Sequence, residues 1–233
     1  QYRYWEYSHN MRKMLVGGTF QYLLSKEGEV MNEQYLDFEV SEYIEIKSDK
    51  SDLESKWETA IGLQQVDNLI PSEYMKDLVK LNIKSEISFD ELESRLNKYY
   101  DDLNDSYNRD EYECDFVSLR IMQMLQNNMF FLTIDFYKYV HHFLFKDVYK
   151  FAGKFRKVNI SKDEEILNGD TVKYGDYNRI KDYLIYDFSD ERQEDYKELN
   201  ASNKIISISN FTSCIWQIHP FMEGNTRTTA IFM

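Results

Sequence analysis

The chain has 233 residues, 41 acidic against 28 Lys and Arg, a formal net charge of −13, and 42% hydrophobic residues that include 19 Tyr and 15 Phe. That apolar share supplies a sizeable core and argues against disorder over most of the length. The acidity repels phosphate backbones and anionic lipid, so neither nucleic acid nor a membrane surface is expected as a general partner.

Only 8 Gly and 2 Pro interrupt long polar–apolar periodic stretches, which predicts a mainly α-helical protein. Residues 1–52 are the least legible, with strand-like alternation at Tyr35–Val40 and Tyr43–Ile46. Residues 53–68 read as a helix with Leu53, Trp57, Ala60 and Ile61 on one face. Pro71 ends that pattern, and Ser72 caps a second helix bearing Met75, Leu78, Val79 and Ile83. A third helix starts near Ser88, so residues 53–105 form a small helical module and residues 106–233 a larger core. The acidic stretch Asp101–Asp115 reads as a solvated loop and helix entry. Residues 116–150 should form two helices joined near Asn127-Asn128, the second closed by Gly153. Asn168-Gly169 between short apolar runs predicts a β-hairpin. Tyr177–Phe188 is helical again, and residues 201–218 read as a buried helix. No apolar run approaches the ~20 residues of a membrane span. Cys114 and Cys214 form no CxxC pattern, which suits a reduced compartment. The expected location is the cytoplasm, with secretion as an effector left open because the sequence begins at Gln1.

The chemistry concentrates in His219-Pro220-Phe221-Met222-Glu223-Gly224-Asn225-Thr226-Arg227-Thr228, between two helical patterns. Gly-Asn at the start of the second helix offers backbone N–H groups and the positive end of a helix dipole to phosphate. Arg227 adds a permanently charged fork suited to phosphate oxygens. Glu223 can hold a hard cation such as Mg²⁺. His219, with an ordinary imidazole titrating near neutrality, can take a proton from an attacking hydroxyl. Base, metal carboxylate, anion loop and arginine are what attack on a nucleoside phosphate requires. His141-His142 lacks the i,i+4 spacing of a helical metal pair and is expected in the core or an interface.

This run resembles the signature of the Fic family, HxFx(D/E)GNxRxxR in its active members. AGKFRKVNI and ILNGDTVKY are similar to the segment that precedes and forms the family's active-site flap, and IWQIHPF to the end of the helix that delivers its histidine. The resemblance covers residues 106–233. It implies a Fic-like helical core with a β-hairpin flap, and transfer of AMP from ATP, with Mg²⁺, to a Tyr, Ser or Thr hydroxyl of a bacterial or host protein. His219 would be the base, Phe221 the loop's anchor and Glu223 the Mg²⁺ ligand. Gly224, Asn225, Thr226 and Arg227 would bind the nucleotide. The flap, Glu165, Ile166, Leu167, Asn168, Gly169, Asp170, Thr171 and Val172, would pair with the target's backbone. The family continues past the position of Met233, so the core reads as C-terminally truncated.

Two residues depart from the signature. Thr226 stands where the family has Gly, and Ala230 where it has a second arginine, which implies slow transfer, transfer of another phosphate-containing group, or a binding module without catalysis. Residues 58–72 are similar to the helix of small antitoxins that block Fic enzymes, with Asp67-Asn68 at the place of the inhibitory Glu-Gly or Glu-Asn. Asp67 and Asn68 are therefore the candidate regulatory pair, with a bare helical scaffold as the alternative role of this module. Ala230 offers Asp67 no charge, so the expectation is that Asp67 has little influence on transfer.

Overall fold

The computed structural model describes residues 52–127, 129–163 and 171–233. Among them are eight α-helices and one two-stranded ribbon: α1 (Asp52–Gly62), α2 (Glu73–Ile83), α3 (Phe89–Asp102), α4 (Arg109–Gln126), α5 (Ile134–Phe145), β1 (Ser161–Asp163), β2 (Thr171–Lys173), α6 (Ile180–Glu191), α7 (Ala201–Ile218) and α8 (Asn225–Phe232). The readings made for residues 1–51 lie outside the described residues.

Helix starts follow the side-chain caps. Ser72 Oγ accepts from Met75 N, Ser88 Oγ from Glu91 N, Asn108 Oδ1 from Asp110 N, Thr133 Oγ1 from Phe136 N and Asn200 Oδ1 from Asn203 N. Each satisfies one donor that helix geometry leaves unpaired. Three boundaries differ from the sequence reading. α4 starts at Arg109, inside the acidic stretch, because Asn108 caps it and its acidic first turn suits the helix dipole. α5 ends at Phe145, and Gly153 instead closes the following turn at φ +75°. The helix read over 53–68 stops at Gly62 and tightens into a 3₁₀ turn, Leu63–Asp67, ended by Asn68 at φ 58°. Asn tolerates that left-handed backbone better than most residues.

One apolar core runs from Trp57 and Ala60 of α1 through Leu92 and Leu96 of α3, Leu119 and Ile121 of α4 and Leu144 of α5 to Phe221 and Phe232. α1 lies on α4, α8 lies on α5, and α6 lies on α7. Trp57 Nε1 donates to Asn82 Oδ1 at 2.9 Å and Asn82 Nδ2 to Ile87 O at 3.0 Å, which fixes α1 on α2. α7 is buried only at Phe211, Ile215 and Ile218, while Ile205, Ile206 and Ile208 are exposed, so the expectation of a buried helix holds for its C-terminal half alone. β1 and β2 are antiparallel, with Ser161 opposite Lys173, Lys162 opposite Val172 and Asp163 opposite Thr171.

Asp115 on α4 is fully buried and joins the helical module to the larger core. Its carboxylate accepts Ser72 N at 2.9 Å, Ser72 Oγ at 2.5 Å and Tyr100 Oη at 2.7 Å. Burial pushes its carboxyl up to about 6, against these hydrogen bonds, which pull it down. The folded state thus holds the proton more tightly than the unfolded chain. The resulting stabilisation is complete below about pH 4 and is lost as pH rises through about 6. Asp115→Asn removes this titration. Between pH 4 and 7 the stability of the Asn variant relative to the parent should rise by on the order of 3 kcal/mol, read as the difference between urea unfolding curves. Parallel pH dependences would show that the carboxyl is not perturbed.

Candidate active site

The loop from His219 to Gly224 joins α7 to α8, and most of its side chains and backbone groups have defined partners. Phe221 is fully buried, with its ring 3.7 Å from that of His141 and 5.6 Å from those of Tyr137 and Phe155, as expected of an anchor. Asn225 is also buried. Its Oδ1 accepts Phe221 N at 2.9 Å and its Nδ2 donates to Phe221 O at 3.0 Å, so one amide pairs both backbone groups of the anchor. His141 Nδ1 accepts Gly153 N at 2.8 Å, which leaves Nε2–H to donate to Glu223 O at 3.0 Å. This ring is neutral; burial, the largest effect, pushes it down to about 4.

His219 caps α7 in a left-handed conformation, φ 50° and ψ 61°. Its Nδ1 lies 3.3 Å from Trp216 O, an acceptor, so Nδ1 carries the hydrogen and Nε2 the free lone pair. The ring stacks on Tyr174, centroids 3.9 Å apart and planes at 20°. Burial, aided by the Arg156 and Lys162 cations and opposed by the Trp216 carbonyl, pushes His219 down to about 4. This corrects the expectation of a group titrating near neutrality: at pH 7 the imidazole is in its base form.

Gly224 adopts φ +77° ahead of α8, and a Cβ there would lie 2.5 Å from Phe145 Cε2. The first bond of α8 runs from Thr228 N to Gly224 O at 3.0 Å, so by helix geometry the N–H groups of Asn225, Thr226 and Arg227 precede it. These are the donors the sequence reading assigned to phosphate. Thr226, which replaces the family glycine, uses its Oγ1 to accept Trp216 Nε1 at 3.1 Å and so ties α8 back to α7. Glu223 is exposed, with one carboxylate oxygen accepting Gly224 N at 3.0 Å. Among the described residues no group of three or more His, Cys, Asp or Glu converges as a metal cage. A single exposed carboxylate does suit Mg²⁺, which takes one or two carboxylates and completes its shell with phosphate and water.

Arg227 is placed differently from the expectation of a phosphate contact. It is 1% exposed. Its Nη1 donates to Gln64 Oε1 at 2.9 Å and its Nη2 to Glu113 Oε1 at 2.8 Å, and it lies over the Phe145 ring. Nε is 2.8 Å from Asp67 Oδ2, a close ion pair that is not aligned as a hydrogen bond. Asp67 therefore has a charged partner after all: Arg227 rather than position 230, where Ala230 is exposed. The 3₁₀ turn explains the pairing, since side chains at i and i+3 eclipse in it and Gln64 and Asp67 reach the same guanidinium. Asn68, the other candidate regulatory residue, serves as the left-handed stop of that turn.

Of the predicted flap, Thr171 and Val172 form part of β2, and Glu165, Ile166, Leu167, Asn168, Gly169 and Asp170 lie outside the described residues. Sequence reasoning missed Arg156, Gln64 and Glu113, whereas His141 stands in the core as expected. Arg156 lies in the basic run Lys154-Phe155-Arg156-Lys157, where nothing in the sequence singles it out as the buried cation, and Gln64 and Glu113 carry no signal either.

The loop thus combines a neutral histidine with a free lone pair, an exposed carboxylate and a helix N-terminus. Residues 131–233 match the model of the Fic/DOC family, and that stretch contains the whole loop. The chain is also similar to "Protein adenylyltransferase VbhT" of Bartonella schoenbuchensis (strain DSM 13525 / NCTC 13165 / R1), 32% identical over 101 residues. That alignment covers 43% of this chain and 20% of the relative, so the chain spans about a fifth of that protein's length.

Gly224 tests how strictly the loop is built. Gly224→Ala combines a disfavoured positive φ with overlap on the Phe145 ring, which should cost about 2–4 kcal/mol. Thermal and urea unfolding would read it, and a variant as stable as the parent would mean that α8 can move away from Phe145.

Proposed function

We propose that the protein transfers AMP from ATP to a Tyr, Ser or Thr hydroxyl of a partner protein. The observation that carries this is the neutral His219, with no partner for Nε2 among the described residues, at the C-terminus of α7 beside the N-terminus of α8 in the stretch that matches the Fic/DOC model. The relative's name, a protein adenylyltransferase, supports the same reaction class. In this reading the target hydroxyl gives its proton to His219 Nε2 and its oxygen attacks the α-phosphorus. A new P–O bond forms to the target as the bond to the β-phosphate breaks and pyrophosphate leaves. The Asn225, Thr226 and Arg227 N–H groups face the developing charge. Glu223 would hold Mg²⁺, which neutralises phosphate charge when bound. The β1–β2 ribbon and the flap beyond it would take the target's backbone as an added strand.

One observation favours a slower enzyme or a binding module: Arg227 is turned into the core by Gln64, Asp67 and Glu113. The 3₁₀ turn would then restrain activity by holding this guanidinium away from nucleotide, the regulatory part proposed for residues 53–105.

With Mg²⁺ and ATP labelled at either the α or the γ position, the parent should acquire or transfer label from the α position only. Label from γ alone would indicate phosphorylation, and no label a binding module. His219→Ala should lower transfer by roughly 10²–10⁴-fold, with ATP binding little changed. In the parent, kcat/KM should fall as pH drops through about 4, not 6.5, because that limb reports the free protein's histidine. Equal transfer by His219→Ala and parent would exclude His219 as the base.

The restraint on Arg227 gives a separate expectation. Gln64→Ala combined with Asp67→Ala leaves only Glu113 on the guanidinium. Transfer should rise by about tenfold or more, the value of one charge-assisted hydrogen bond to phosphate. Steady-state transfer by the double variant decides this, and unchanged or reduced transfer would make the 3₁₀ turn a scaffold.

A further inference from the structure

Arg156 lies between the turn at Gly153 and β1 and is 3% exposed. Among the described residues its guanidinium donates only to main-chain carbonyls: Nε to His219 O at 2.8 Å, Nη1 to Val158 O at 2.7 Å, and Nη2 to Ile218 O at 3.2 Å and to Gly175 O. Its own N–H donates to Pro220 O at 2.8 Å. A buried cation is costly unless its donors are used. Here the carbonyls at the end of α7, the negative end of that helix, supply the compensation.

The acceptors belong to three separate stretches. Ile218 and His219 are the turn that carries the base, Gly175 follows β2, and Val158 precedes β1. Between the first two sits the Tyr174–His219 stack. His219 holds a left-handed backbone that a residue with a Cβ adopts only when its surroundings enforce it. Arg156 and the backbone of Pro220 are the groups positioned to enforce it.

We propose that Arg156 is a positioning residue: by gripping Ile218, His219 and Gly175 together, it fixes the His219 imidazole against Tyr174, so that the flap strand and the base move as one unit. This rests on the reading of His219 as the base. A planar fork is needed, because one guanidinium reaches carbonyls in several directions, whereas a lysine ammonium is a point donor on a flexible stem. Displacing a reacting group by about 1 Å can cost roughly 100-fold in rate.

The test compares the parent, Arg156→Lys, which keeps the charge, and Arg156→Gln, which removes it. The His219 ring resonances are assigned by their loss in His219→Ala and followed against pH. The groups facing His219 are the Trp216 carbonyl, the Tyr174 ring and the Arg156 and Lys162 cations. In both variants the upfield ring-current shift from Tyr174 should diminish. In Arg156→Gln the midpoint should also move up from about 4 towards the ordinary value near 6.5. Transfer should show kcat down roughly 10–100-fold in the folded Lys variant, with KM for ATP changed less than about threefold. A Lys variant with the parent's His219 shifts and kcat overturns the proposal. So does one that is destabilised while its His219 signals stay unmoved, since that is what a purely structural arginine would give. If the parent transfers no nucleotide, the proposed function fails while the resonance measurements still decide whether Arg156 positions His219. Should Arg156→Gln not fold, the charge-retaining Lys variant carries the comparison.

Discussion

The loop between α7 and α8 is short and buried at its centre, and its backbone is paired by side chains. Asn225 pairs both backbone groups of Phe221, His141 pairs the carbonyl of Glu223, Arg156 takes the carbonyls of Ile218 and His219, and Glu223 accepts the N–H of Gly224. A buried, unpaired carbonyl or amide costs about 1–3 kcal/mol, so the loop is stable only when these partners are all in place. The rest of the fold brings them there: α5 supplies His141, the turn closed by Gly153 leads to Arg156, and α8 supplies Asn225.

Rigid support of this kind determines what is left for chemistry. With Nδ1 directed at Trp216 O, His219 presents Nε2 as a base, and burial keeps it unprotonated at neutral pH. A base held near 4 is weaker than one matched to pH 7. A triphosphate bound beside it would favour the imidazolium and raise that value. In the proposed reaction His219 would then be ready but not strong as a base, and its strength would depend on the substrate's own charge.

Arg227 follows the opposite logic. The residue type best suited to a phosphate is kept inside, between the carboxylates of Asp67 and Glu113 and the amide of Gln64, over the Phe145 ring. Burial alone would disfavour the guanidinium, but the two carboxylates more than offset that, and its charge is held more firmly than in water. The same contact joins the 3₁₀ turn after α1 to α8, so the helical module and the loop share one charged group. Any ligand that draws Arg227 outward must also release the turn, which in the proposed function would link nucleotide binding to the packing of residues 63–68.

The local sequence determined what local forces decide. Helix starts at Ser72 and Ser88 follow from side-chain caps within one turn, and the run His219 to Arg227 from chemistry written contiguously in the chain. Composition and pattern likewise gave a mainly helical protein. Tertiary structure decided the rest, because it rests on partners far apart in sequence. Arg227 meets Gln64 across 163 positions, Arg156 meets His219 across 63, and His141 meets Glu223 across 82. No periodicity or motif encodes such pairs, and so neither the inward turn of Arg227 nor the lowered titration of His219 could be read beforehand. An arginine three residues after a glycine reads as a phosphate ligand; only the arrival of Asp67, Gln64 and Glu113 at the same point gives it a different partner.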